Sequence, residues 1–192
     1  MRIVRQSSFR AVPWKNGGGV THEAMRVPTS GDPFQWRVSV ARIDASGPFS
    51  DFAGYRRTMV LLRGHGVRLA FSNGEDRELL EIGDAAEFDG ALPAQCVLND
   101  GPCVDLNFMT HQTLDGVRAH VERLRRPLAL AAHRHRMTLV FPIDAPVELH
   151  EGGESAVLEP WDLAVVADSA ATVTHREPFA TAAVFIARVP AI

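Results

Sequence analysis

Trp36-Arg37-Val38-Ser39-Val40-Ala41-Arg42-Ile43 decides the fold class. Trp36, Val38 and Val40 fall on one side and Arg37, Ser39 and Ala41 on the other, and a period of two is that of a β-strand. Outward from this stretch the pattern returns in short segments between turn signals. Residues 58–63 and 67–71 flank Gly64-His65-Gly66, which reads as a hairpin with a three-residue loop. Gly83-Asp84 and Asp89-Gly90 bracket a segment at 85–88, and 103–109 is a strand with Asp105, Asn107 and Met109 on one face. Further segments follow at 138–141, 147–150, 156–158, 163–166, 171–174 and 182–189, with a turn at Glu151-Gly152-Gly153-Glu154. Strands at roughly 8–12-residue spacing with turns between them predict an all-β sandwich or barrel.

Two strand sets are visible, near 10–115 and near 130–190. Between them, Val117, Val121 and Leu124 fit a helical stripe while Ala119, Val121 and Arg123 fit strand alternation. We read this stretch as a strand continuing from the first set. Arg125-Arg126-Pro127 is a natural break.

Composition narrows the function classes. The chain has 192 residues, 46% hydrophobic and 22% charged, which suits one large or two small globular domains. A net charge of −3 gives no electrostatic case for a nucleic-acid partner. No apolar run approaches the ~18 residues of a membrane span, and the N-terminus is polar too soon for a signal peptide. Cys96 and Cys103 lack C-x-x-C spacing, so reduced thiols are expected rather than a bridge. The expectation is a soluble cytoplasmic protein.

Candidate chemistry begins at Pro13-Trp14-Lys15-Asn16-Gly17-Gly18-Gly19, followed by Thr21 and Glu23. Three consecutive glycines suit a loop that takes positive φ or lets something approach its backbone closely. With an aromatic, a cation and an amide beside them, they suit a loop over a polar ligand, or simply a glycine-rich turn. Arg37 and Ser39 share a strand face, and the fork of an arginine fits a carboxylate; a solvated face is the plain alternative. Arg56-Arg57 are adjacent, so in a strand one of them points outward. Asp105 and Asn107 complete a polar cavity or form the wet side of a half-exposed sheet.

The histidines offer little for a metal. His133-Arg134-His135 is an H-x-H, but no carboxylate follows before Asp144, and flanking arginines disfavour a bound cation. No G-x-S-x-G elbow, P-loop or dinucleotide fingerprint is present.

Five ordered blocks together resemble the HutD/Ves family. They are Trp14-Lys15-Asn16-Gly17-Gly18-Gly19 with Thr21 and Glu23, Trp36-Arg37-x-Ser39-x-Ala41-x-Ile43, and Gly47-x-Phe49-Ser50-x-Phe52-x-Gly54-x-x-Arg57. Leu61-Leu62-x-Gly64 and Asp105-x-Asn107-x-Met109-Thr110 complete the set. One departure is Arg56, where relatives often carry an acidic residue.

The resemblance implies a bicupin, two small antiparallel β-barrels in one chain. We place the N-terminal barrel at 1–115 and the C-terminal one at 116–192, with strands exchanging across the boundary. It implies a regulator of histidine utilisation that binds a small anionic metabolite such as urocanate or N-formylglutamate, with no metal and no cofactor. The expected ligand-binding residues are Lys15, Asn16, Thr21, Glu23, Arg37, Ser39, Arg57 and Asn107. The alternative is a cupin enzyme, a metal-dependent oxygenase or a metal-free isomerase or hydrolase, with Glu23 as general base. Exposed sheet edges permit a homodimer.

Overall fold

Alternating segments become nineteen strands among the described residues of the computed structural model, which describes residues 1–14, 19–167, 169–176 and 181–191. No helix among these residues is long and apolar enough to cross a membrane. The strands fall into two compact units, Phe9–Asp115 and Met1–Ser8 with Gly116–Ile192.

In the Phe9–Asp115 unit, a six-stranded antiparallel sheet is built from β2 (Arg10–Pro13), β3 (Val20–Val27), β4 (Trp36–Ile43), β6 (Tyr55–Arg63), β9 (Ala85–Asp89) and β11 (Cys103–His111). Its order is β2-β3-β4-β11-β6-β9. A second sheet, ordered β5-β10-β7-β8, comes from β5 (Gly47–Pro48), β7 (Val67–Phe71), β8 (Asp76–Leu79) and β10 (Ala94–Leu98). One apolar cluster joins the two, with Ile43, Met59, Leu61 and Phe88 from the larger sheet and Leu69, Phe71, Leu79 and Cys96 from the smaller. Both thiols are free and buried.

The other unit repeats the plan. A sheet ordered β1-β17-β14-β19-β12 uses β1 (Arg2–Val4), β12 (Arg118–Leu124), β14 (Arg136–Pro142), β17 (Leu163–Ala167) and β19 (Ala182–Pro190). Its companion, ordered β13-β18-β15-β16, uses β13 (Leu128–Leu130), β15 (Val147–Glu151), β16 (Glu154–Leu158) and β18 (Ala171–His175). Val140, Val166 and Val184 from one sheet meet Leu130, Leu149 and Val173 from the other. In each unit two antiparallel sheets pack on a shared apolar core, so the chain is all β.

Two local expectations are corrected, and the H-x-H is placed. Residues 58–63 and 67–71 do not form a hairpin: β6 pairs with β11 and β9, whereas β7 pairs with β10 and β8. The glycines between them turn the chain from one sheet to the other. Gly64 has φ 112°, and a Cβ there would stand 2.7 Å from the Cys103 Cβ and 2.9 Å from the Pro102 carbonyl. Within the stretch at 115–124, Arg118–Leu124 is a strand, but β12 pairs with β19 and so does not continue the first set. His133 and His135 do not share a strand face, because they precede β14 in a turn where His135 has φ 60°.

Candidate functional site

The strand register gathers polar residues from distant parts of the sequence onto one face of the six-stranded sheet. At the centre, β11 pairs Asn107 with Ser39 of β4 and Met59 of β6. One step along, Met109 pairs with Arg37 on one side and Arg57 on the other. Glu23 and Thr21 of β3 lie opposite Ser39 and Ala41. A register shift between Glu23 and Met25 keeps Glu23 on this face while Met25 moves to the Val38 side, the re-aiming that a β-bulge produces. Asp105, Asn107, Arg57, Ser39 and Glu23 are all buried. This face is therefore not the wet side of a half-exposed sheet.

A relay of hydrogen bonds runs through it. The Arg57 Nε and Nη2 donate to Asn107 Oδ1 at 3.3 and 3.0 Å, and Arg57 Nη1 donates to the Ser50 carbonyl at 3.2 Å. Asn107 Nδ2 donates to Asp105 Oδ2 at 2.6 Å. The amide is thus held with its oxygen toward the cation and its nitrogen toward the carboxylate. Asp105 Oδ1, also buried, has no partner. Burial raises the Asp105 carboxyl to about 6, with Asn107 and Arg57 acting in the other direction. Burial likewise lowers Arg57 to about 10, opposed by Asp105 and reinforced by Arg37.

Arg37 is held differently. Its Nη2 donates to the Met109 sulfur at 3.2 Å, and its buried Nε has no partner. Burial is also the main cause that lowers its pKa. The Phe34 and Phe52 rings lie 5.1 and 5.3 Å from its guanidinium carbon. Around Arg57 stand Phe49, Phe52 and Phe88 at 5.1, 5.2 and 5.1 Å. The loop bearing Phe52 is fastened to the turn after β9, where Phe52 N–H donates to the Gly90 carbonyl and Gly90 N–H to the Tyr55 carbonyl. A Cβ on Gly90 would come within 2.5 Å of the Phe52 carbonyl oxygen, so the close approach requires glycine.

The remaining expected residues are placed as follows. Glu23 is ion-paired with Arg10 across β2 and β3 at 2.7 Å. Thr21 Oγ1 accepts from Trp14 Nε1 at 2.8 Å, and Ser39 Oγ donates to the Asn107 carbonyl at 3.5 Å. Lys15 and Asn16 lie outside the described residues, as do Gly17 and Gly18. Arg56 points away from the site to an exposed pairing with Glu87 at 3.4 Å. Missing from the expected set were Asp105 and the aromatic wall. The spacing of Phe49 and Phe52 before Arg57 was visible, but nothing local said that their rings would face guanidinium groups.

A resident metal does not fit this face. Among the described residues no group of three or more His, Cys, Asp or Glu side chains is placed to hold one. Two arginines beside a single unpaired carboxyl also repel a cation. A separate concavity of about 600 Å³ lies in the other unit, along residues 129–131, 150–155 and 170–172, and shares no residue with this cluster.

Comparison with known proteins gives the following. The sequence model named HutD matches residues 6–183. An uncharacterized 21.2 kDa protein in the hutC 3′ region of Pseudomonas putida is 41% identical over 110 residues. That match spans 57% of this chain and 57% of the relative, little more than half of either. A solved structure of a protein of unknown function from Pseudomonas aeruginosa PAO1 superposes with TM-score 0.84 at 30% identity, covering 98% of this chain and 97% of the other. HutD from Pseudomonas fluorescens SBW25 superposes with TM-score 0.78 at 28% identity, covering 100% and 99%. The fold alone is shared with a cupin 2 conserved barrel domain protein from Leptotrichia buccalis, at TM-score 0.60 and 11% identity over 94% and 92%.

Proposed function

The chain belongs to the HutD family, and we propose that it binds a small carboxylate metabolite, without a metal, at Arg37 and Arg57 in the Phe9–Asp115 unit. One observation carries this reading: the buried Arg57 and half-buried Arg37 guanidinium groups face the same aromatic ring with no carboxylate of the described residues in ion-pair contact with either. A buried cation is costly unless an anion meets it. Asn107 and Ser50 take three of the five Arg57 N–H groups, which leaves donors for the bidentate grip that carboxylates favour.

The family gives the ligand class its context. The names of the P. putida and P. fluorescens relatives tie those proteins to histidine utilisation genes, which supports urocanate or N-formylglutamate as the first ligands to try and a regulatory role in that pathway. The pairing of Glu23 with Arg10 speaks against Glu23 as a free general base, so binding is preferred to catalysis. Lys15 and Asn16, which lie outside the described residues, stay in the proposed binding set on the sequence alone.

Titration calorimetry against urocanate, N-formylglutamate, histidine and glutamate tests the proposal. Saturable one-to-one binding of one of them, lost in Arg57→Ala, is the expected result. Heat from none of the four withdraws the histidine-pathway assignment.

A further inference from the structure

We propose that Asp105 is a proton site coupled to the anion site, so that capture of a carboxylate by Arg57 draws up to one proton from solution onto Asp105. The inference rests on the anion-binding reading above. No bond of the ligand changes: the proton leaves the buffer, ends on the Asp105 carboxyl, and the ligand stays a carboxylate.

The geometry supplies the coupling. Asp105 and Arg57 lie on opposite sides of the Asn107 amide, whose two ends bond to both of them. Asp105 Oδ2 has its hydrogen bond, whereas Oδ1 is buried without one. An ionised carboxylate in that position depends on charge from its neighbours. On β6 the neighbour is Arg57, the cation that acts on it. On β4 and β3, the residues level with it are Ala41 and Thr21, neither of them titratable. Cys103 on its own strand and Cys96 on β10 both feel its charge, and both thiols are pushed up by burial, to about 11 and about 12, so they stay neutral.

An anion on the free edge of Arg57 changes this balance. It neutralises the one cation supporting Asp105 and places a second carboxylate on the far side of Asn107. Like charges sharing a site push a carboxyl pKa upward. In the unliganded protein that carboxyl already titrates at about 6, so a modest further rise carries it through neutrality. Affinity then holds a plateau below pH 6, where Asp105 is already protonated without ligand, and falls by up to about tenfold per pH unit above it, until the liganded carboxyl also ionises.

The test is calorimetry with N-formylglutamate, which has no group titrating near neutrality, in two buffers of different ionisation enthalpy at pH 7. Wild type is expected to take up a fraction of a proton per ligand, seen as a buffer-dependent heat, and Asp105→Asn to bind with no buffer dependence. Binding with equal heats in both buffers overturns the inference and leaves the anion site standing. Uptake that survives in Asp105→Asn also overturns it. No binding of N-formylglutamate or of any of the other three compounds withdraws the carboxylate-binding reading on which the coupling rests, and the coupling with it. Should Asp105→Asn fail to fold, the Asp105 carboxyl carbon can be titrated by NMR in wild type. Its midpoint must rise when N-formylglutamate is bound, and an unmoved midpoint rejects the coupling.

Discussion

Arg37 and Arg57 share one aromatic ring: their guanidinium carbons lie 5.3 and 5.2 Å from the centroid of Phe52. The strand register produces this arrangement. Both residues pair with Met109, one from each neighbouring strand, so two like charges face the same patch of the sheet. Arg37 is one of the causes that depress Arg57, after burial.

Phe52 is accordingly predicted to matter more than Phe49, which faces Arg57 alone. A desolvated cation–π contact contributes roughly 0.5–2 kcal/mol. Phe52→Leu loses two of them and Phe49→Leu one, so urea denaturation should rank Phe52→Leu as the less stable variant by about 1 kcal/mol. Equal midpoints would show that the rings serve only as apolar cover.

Removing a guanidinium should cut ligand affinity. Charge-assisted hydrogen bonds contribute about 1.5–3 kcal/mol, so Arg57→Ala is expected to weaken carboxylate binding about 10- to 100-fold. Arg56→Ala is the matched control one residue away, since it removes only an exposed pairing with Glu87. Calorimetry that finds the two variants alike would take Arg57 out of the site.

Asp105 also predicts a pH dependence of stability. Its folded carboxyl titrates at about 6, against an ordinary value of 3.8. Between those values the folded chain keeps a proton that the unfolded chain has lost, so stability falls as pH rises through the window. The loss is complete above it and is on the order of 2–3 kcal/mol. Thermal unfolding of Asp105→Asn across pH 4 to 7 should lack this decline. A variant profile parallel to wild type would mean that Asp105 does not titrate in this range.

The corner between sheets gives a fourth test. Gly64→Ala would drive a Cβ to 2.7 Å from the Cys103 Cβ in a backbone of φ 112° that alanine disfavours. A loss of about 2 kcal/mol or more is expected in chemical denaturation. Gly74→Ala shares the positive φ but has nothing within 4 Å, so it should lose only the backbone part. Equal losses would show that crowding at the corner is unimportant.

The sequence by itself determined that the chain is all β, because alternation at 36–43 and its repeats is a local property that the pleat enforces. It also determined that Arg37 and Ser39, or Asp105 and Asn107, share a face, since residues two apart in a strand always do. Partnership between strands was another matter. Residues 58–71 carry the local signature of a hairpin, yet the tight packing of Gly64 against Cys103 sends the two strands to different sheets. The strand at 118–124 alternates whichever neighbour it finds, and only the assembled core, where Leu124 packs with Val184, assigned it to β19. The same holds for the site. Arg57 and Asn107 are fifty positions apart, and Phe52 becomes the floor beneath two cations only because Gly90 lets its loop close down. Periodicity is written in neighbouring residues. Register and the charges it brings together are settled by long-range packing, which no short stretch of sequence contains.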